Sequence, residues 1–279
     1  MAVDLHVHSS ASDGTDAPEV VVAKAAALGL TALALTDHDT LSGIHEAREA
    51  AARYPVELIP GVELSVDHAG VKIHMLAYFL EPTPGPLQDR LEELRTGRTI
   101  RNHRIVERLN ELGYPITMDD VLRQAAGDAV GRPHIADALV EAGAMGDRSE
   151  AFIGLLGDGG SAYVERDRLT AVDAITLTRE SGGVTSIAHP LTINTDAATL
   201  RSIFEGLREA GLTGIEAHYS EHPPAIRRQL AAVAADLGLV ATGGSDYHGS
   251  GKPDLRIGSG RGDLEVPGSA LEELRRRRP

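Results

Sequence analysis

His6 and His8 stand one residue apart at the end of a short apolar run, in Asp4-Leu5-His6-Val7-His8-Ser9. In a β-strand, residues two apart point to the same side, so this spacing presents two imidazoles in parallel. That is half of a metal site, because neutral imidazole suits zinc, iron, manganese or nickel. One such pair arises easily by chance, but similar punctuation recurs along the chain. Asp13 follows in Ser12-Asp13-Gly14, a second apolar run ends in Asp37-His38-Asp39, and a third ends in Glu63. His74 lies in a fourth run, and a fifth ends in Ala188-His189-Pro190. A sixth leads into His218-Tyr219-Ser220-Glu221-His222, and a seventh into Ser245-Asp246-Tyr247-His248. Carboxylates gathered at one place repel and lose hydration unless a cation compensates them. The pattern points to bound cations.

These residues need a frame that brings the ends of separate strands together. Apolar runs at 2–7, 32–36, 56–64, 72–80, 183–188, 214–217 and 240–243 alternate with helical stretches at 18–27, 43–53, 171–181, 200–210 and 224–237. That rhythm predicts an α/β fold of βα units with buried parallel strands. In a parallel βα barrel, active sites form at the C-terminal face of the strands. Pro18 near a helix start, and Gly29, Gly182, Gly211 and Gly238 just past helix ends, fit known terminal preferences.

Between Leu80 and about Glu165 the rhythm stops. Leu91, Leu94, Ile105, Leu109 and Leu112 have helical spacing and predict a long helix over 87–112. Short helices are expected over 118–126, 133–141 and 149–156. The predicted organisation is a metal-binding barrel from 1–84 and 166–279. Residues 85–165 would form a helical insertion capping its mouth, ending in the flexible Gly157-Asp158-Gly159-Gly160.

The chain of 279 residues has room for such a barrel and insertion, and its 42% hydrophobic and 24% charged content is that of a globular protein. There is no Cys, so His and carboxylates are the strong ligands on offer. The net charge of −14 argues against a broad nucleic-acid-binding surface but not against a local basic pocket. No signal peptide and no apolar run long enough to span a bilayer is visible. The expectation is a cytoplasmic enzyme with no membrane association and no obligate protein partner. The Arg275–Arg278 run reads as a solvated helix end.

The motifs D-L-H-V-H-S, S-D-G, T-D-H-D, G-V-E-L-S, H-M-L-A-Y, G-R-P-H-I-A, A-H-P and S-D-Y-H-G span residues 4 to 249. In that order they closely resemble the PHP (polymerase and histidinol phosphatase) family of metal-dependent phosphoesterases. The branch they resemble holds nucleotide phosphatases and the 5′-to-3′ exoribonuclease RNase AM. The resemblance implies a distorted (β/α)7 barrel holding two to three divalent ions, manganese or iron first, with zinc the alternative. Carried over by position, His6, His8 and Asp246 would hold one ion, with Glu63 bridging it to a second held by His74 and His189. Asp13, His38 and His248 would hold a third. Every position is filled by the expected ligand type.

Arg132 and His134, in Gly131-Arg132-Pro133-His134, match a motif that faces phosphate in similar proteins, and a guanidinium offers bidentate donors to phosphate oxygens. Pro133 also suits the first turn of a helix. His222 is a candidate for phosphate contact or leaving-group protonation, and Asp37 and Asp39 for orienting the histidines. Gly249-Ser250-Gly251-Lys252 fails as a phosphate loop, because Asp246 stands where its first glycine belongs and Pro253 replaces Ser/Thr.

The expected chemistry is attack by a metal-bridging hydroxide on a phosphate ester. The expected substrate is a small phosphorylated molecule, a nucleotide or short oligoribonucleotide. First comes a 3′,5′-bisphosphonucleotide phosphatase with 5′-to-3′ exoribonuclease action on short RNA. The alternative is a histidinol-phosphate or other small-molecule phosphatase, or a cyclic phosphodiesterase. An amidohydrolase is a separate class; such barrels commonly carry a carboxylated Lys where Glu63 stands. A non-catalytic metal scaffold predicts lost ligands.

Overall fold

The computed structural model describes residues 2–125, 130–165, 167–193 and 196–279. The strands are β1 (Val3–Val7), β2 (Ala32–Leu35), β3 (Glu57–His68), β4 (Val71–Tyr78), β5 (Leu169–Thr170), β6 (Val184–Ile187), β7 (Gly214–Tyr219) and β8 (Val240–Gly244). They hydrogen-bond in the order β1-β2-β3-β4-β6-β7-β8, with the two-residue β5 beside β3. The sheet curls until its ends meet. The Asp246 amide donates to the His6 carbonyl at 2.8 Å, and the His8 amide to the Tyr247 carbonyl at 3.0 Å. The result is a distorted α/β barrel.

One strand departs from the expected parallel ladder. β4 pairs antiparallel with both β3 and β6. Only Ala69 and Gly70 separate β3 from β4, too few for a crossover, and both adopt the left-handed conformation of a tight hairpin turn, with φ of +53° and +83°. The reversal matters for the site. The start of β4 lies where the neighbouring parallel strands finish, so His74, early in β4 and paired with Ser65, reaches the same end as Glu63.

Helices α1 (Pro18–Ala27) and α2 (Ile44–Ala51) follow the first two strands. After them come α3 (Pro86–Glu111), α4 (Met118–Arg123), α5 (Arg132–Glu141) and α6 (Arg148–Ala151). The chain returns to the barrel with α7 (Ala171–Glu180), α8 (Ala197–Glu209), α9 (Pro224–Asp236) and α10 (Gly268–Arg276). Val21, Ile44, Ile175, Phe204 and Leu230 bury the apolar faces of the outer helices against the strands. A second cluster joins Val3, Leu5, Leu76, Tyr78 and Val240 to Leu271 and Leu274 of α10, at the end of β1 away from His6 and His8. Residues between Ile105 and Val164 form a cluster of their own around Leu109, Ile135, Leu139 and Leu156.

The helix expected over 149–156 is cut short. Ile153 and Gly154 leave the helical region, Gly154 with a φ of +81°, and the chain turns back. Ala126, the expected end of a short helix, lies outside the described residues. Among the described residues, no helix is long and apolar enough to cross a membrane.

Candidate metal centre

The two faces of β1 explain the first pair of ligand candidates. Near its C-terminal end the register with β2 shifts, and His6 and His8 turn to the same side, with their Nε2 atoms 3.1 Å apart. Gly244 of β8 makes room for them. A Cβ there would lie 2.3 Å from the His6 Cβ, closer than packing allows. His189 and Asp246, just beyond β6 and β8, sit at positive φ (27° and 54°). Such conformations are costly for residues other than glycine and concentrate at functional sites.

Glu63 is the centre of the arrangement. Its Oε2 lies 3.2 Å from His6 Nε2, 3.1 Å from His8 Nε2 and 3.1 Å from His38 Nδ1. Its Oε1 lies 2.9 Å from His74 Nδ1 and 3.0 Å from His189 Nε2. One carboxylate therefore addresses two groups of imidazoles with different oxygens. Asp246 Oδ1 stands 3.5 Å from His6, 3.4 Å from His8 and 3.4 Å from His248. Asp13 lies 3.3 Å from His248 Nε2 and 3.7 Å from His38 Nε2. The structure thus brings together all the residues singled out as ligands, from His6 to His248. His38 does more than expected, since it faces both Asp13 and Glu63.

The donor set fits divalent cations. His8, Asp13, His38 and His248 form one group whose ligand atoms lie within 4.8 Å of one another, and His6, His8 and Glu63 form another. The buried His74 Nδ1 makes no hydrogen bond despite standing 2.9 Å from a carboxylate oxygen, and His8 Nδ1 likewise makes none, 3.7 Å from Asp13 Oδ1. Imidazole lone pairs and carboxylates crowded around a common point, some of them without a hydrogen-bond partner, are what a shared cation requires.

The electrostatics agree. Burial opposes ionisation of Glu63, yet the facing His38, His6 and His74 imidazoles hold its carboxyl well below the usual range. Asp246 is held down likewise against burial, by Lys252, His6 and His248. Burial disfavours charge on His8, but hydrogen bonding to Asp246 and Glu63 outweighs it and raises its pKa to about 9. His38 goes the other way, to about 3, through burial, though Glu63 and Asp13 oppose the drop.

Glu216 was missed by sequence reasoning. Fully buried in β7, it accepts a hydrogen bond from His6 Nδ1 at 2.9 Å and another from the His189 amide at 2.6 Å. The available signal was an acidic residue inside the apolar run Ile215-Glu216-Ala217. Thr192 Oγ1 holds His189 Nδ1 at 2.9 Å, and His248 Nδ1 donates to the Asp246 carbonyl at 2.8 Å. These contacts orient the imidazoles, the work expected of Asp37 and Asp39. Those two have other partners. Asp37 accepts from the Ser9 amide and from the Ser9 and Ser12 hydroxyls, fixing the loop that carries Asp13. Asp39 accepts from the Ser65 amide and pairs with Arg98 of α3.

The remaining candidates divide. Arg132 donates to the Leu156 carbonyl at 2.9 Å, approaches Asp158 at 3.3 Å and lies against the rings of Phe152 and Tyr163. It lines a cavity of 320 Å³ beside His74 and His189, together with Lys72, Arg101 and Arg168. His134 accepts from the Gly131 amide through Nδ1 and so caps the first turn of α5, with Asp13 across a neighbouring cavity. His222 is buried edge-on to Tyr219, their ring centroids 5.0 Å apart, and is not among the residues lining the cavity over Glu63. That cavity, of 470 Å³, is lined instead by Arg148 and Lys252 among others. Lys252 and the Tyr219 hydroxyl both donate to Asp246 Oδ2, leaving Oδ1 to the histidines.

Comparison with known proteins matches the geometry. The model of the PHP domain matches residues 4–142. A 5′-3′ exoribonuclease of Haemophilus influenzae is 35% identical over 245 residues, 88% of this chain and 89% of the relative. The chain belongs to the PHP family. A second PHP relative, the 3′,5′-nucleoside bisphosphate phosphatase of Chromobacterium violaceum, is 32% identical over 92% of this chain and 90% of its own length. A crystal structure from Bifidobacterium adolescentis, described as a metal-dependent phosphoesterase, superposes with a TM-score of 0.88 at 33% identity, over 99% of this chain and 96% of that one. This PHP chain is a metal-dependent phosphoric ester hydrolase.

Proposed function

We propose that the enzyme removes the 3′-phosphate from 3′,5′-bisphosphonucleotides and acts in the same way on the 5′ end of short RNA. The observation that carries this reading is the pairing of two sites for phosphate. The 320 Å³ cavity gathers Lys72, Arg101, Arg132 and Arg168, with Asp158 in its lining and Glu165 paired to Lys72 and Arg168, and shares His74 and His189 with the metal centre. A substrate with one phosphate needs only the metal centre; two phosphates one sugar apart use both. The guanidinium groups read the 5′-phosphate through charge-assisted hydrogen bonds, and the 3′-phosphate rests against the centre. The two relatives cited above carry names for these two activities.

The ligand assignment is the one the family resemblance implies, and the clustering of these side chains supports it. His6, His8 and Asp246 would hold one divalent ion, Glu63 would join it to a second at His74 and His189, and Asp13, His38 and His248 would hold a third. The donor set accepts manganese, iron and zinc alike, and the family resemblance puts manganese or iron first, with zinc the alternative. Such ions supply a water of lowered pKa and neutralise charge on phosphate oxygens. Arg148 and Lys252 add positive charge from the facing wall of the 470 Å³ cavity. Residues 85–165, read as a cap over the barrel mouth, bring Arg132 and Arg148 to the site.

The test is product analysis with manganese-loaded enzyme on 3′,5′-bisphosphoadenosine, 3′-AMP, 5′-AMP and histidinol phosphate. Release of phosphate from the bisphosphate to leave 5′-AMP, with kcat/KM at least about tenfold above the others, is expected. Preferential use of histidinol phosphate, or loss of the 5′-phosphate, contradicts it.

A further inference from the structure

A larger cavity, of 650 Å³, lies between α5, α6 and the loop after β8 and shares no lining residue with the cationic one. It shares Asp13, Arg148 and Gly251 with the reaction cavity, as the cationic cavity shares His74 and His189. The reaction cavity therefore adjoins two others, one at each set of shared residues. A bisphosphonucleotide fills only one of the two. The other has the size of a small-ligand site, about 300–1,000 Å³ in general.

Its chemistry is opposite to that of the cationic cavity. Asp13, Asp137 and Asp147 line it with a single guanidinium, and that guanidinium, Arg148, is gripped by both oxygens of Asp137. Thr15, Ser149 and Ser250 add neutral polar groups and Val140 an apolar one. A phosphate would meet carboxylates here. A nucleoside carries no such charge, and its hydroxyl and amino groups can donate to Asp147 and to the lining hydroxyls.

Building on the function proposed above, we infer that this cavity holds the nucleoside on the 3′ side of the scissile phosphate. The two cavities then fix the direction in which a strand lies, with the 5′-phosphate among the cations and the next nucleoside among the acceptors. The reaction consumes one water. Its oxygen bonds to phosphorus, the P–O3′ bond breaks, and O3′ departs with a proton. The first nucleotide leaves as a nucleoside 5′-phosphate. The phosphate stays on the next nucleoside as its 5′-phosphate, the group that the cationic cavity reads, so a shortened strand can enter again.

Ser149→Trp tests this. Ser149 is exposed on α6 and lines neither cavity that a bisphosphonucleotide uses. Val140→Trp, on α5, is the second variant. Each is assayed beside wild type on 5′-phosphorylated diadenylate and on 3′,5′-bisphosphoadenosine, with melting temperature measured on the same preparations. Wild type is expected to turn the dinucleotide into two molecules of 5′-AMP. At least one variant is expected to lose about 10- to 100-fold in kcat/KM on the dinucleotide, the scale of a misplaced substrate, and to stay within about twofold on the bisphosphate. Equal losses on both substrates, or no loss in either stable variant, overturn the inference. So does a wild type that uses the bisphosphate but not the dinucleotide. A wild type that uses neither overturns the underlying reading itself.

Discussion

Glu216→Gln removes a charge that touches no substrate, yet it should disable the metal centre. The carboxylate is fully buried and accepts from two donors, His6 Nδ1 at 2.9 Å and the His189 amide at 2.6 Å. Glutamine offers one oxygen and one NH2 group, so one donor would face another donor. A hydrogen bond to a buried charge contributes about 1.5–3 kcal/mol. At roughly 2–4 °C per kcal/mol for a large domain, losing one lowers the melting temperature of metal-free protein by about 3–12 °C. His6 also loses the partner that aims its Nε2 at Glu63, and such orienting partners typically contribute about 10- to 100-fold in metal affinity. Calorimetric titration with Mn2+ reads that affinity directly, and circular dichroism checks the fold. A variant that binds Mn2+ with unchanged affinity and stoichiometry would refute the orienting role of Glu216.

Other substitutions probe separate parts of the account. Glu63→Gln should leave a folded protein that binds less metal and has lost nearly all turnover; near-wild-type activity at saturating Mn2+ removes Glu63 from the bridge. Arg132→Ala should lower kcat/KM on bisphosphonucleotide by about 30- to 1,000-fold, equivalent to about 2–4 kcal/mol, and Lys should restore only part. Metal content should not change, and turnover of a 3′-monophosphate should be largely spared; a loss of melting temperature without a kinetic effect would make Arg132 purely structural. Gly244→Ala drives a methyl into His6 and should cost about 1–3 kcal/mol of stability, or displace β1 and weaken metal binding, both visible by melting with and without Mn2+.

What was legible in the sequence were residues whose type conflicts with their surroundings. Histidines and acids at the ends of apolar runs stand out because the rest of each run is mostly apolar, and strand alternation shows that His6 and His8 share a side. Barrel geometry does the rest, by carrying the ends of separate strands to one place. The antiparallel β4 was hidden because a buried strand reads alike in either direction; only the two-residue connection at Ala69-Gly70 betrays it. Glu216 sits inside its strand, where one acid between apolar neighbours has no visible partner until the barrel closes. Asp37 and Asp39 have the right type and position, but the loop before α1 and helix α3, packed from elsewhere in the chain, take their oxygens. Arg132 was visible as a cation in a motif. Which cavity it lines depends on the turn after α6, set by Gly154 and its neighbours, and no periodicity reports that.

Anomalous scattering from crystals grown with Mn2+ tests the central claim most directly. Peaks are expected between His6, His8, Asp246 and Glu63, and between Glu63, His74 and His189. These neighbours should be roughly 3.5–4 Å apart, as in two-metal phosphoesterase sites. A third peak is expected among Asp13, His38 and His248. Bound manganese elsewhere, with none touching Glu63, would contradict the account.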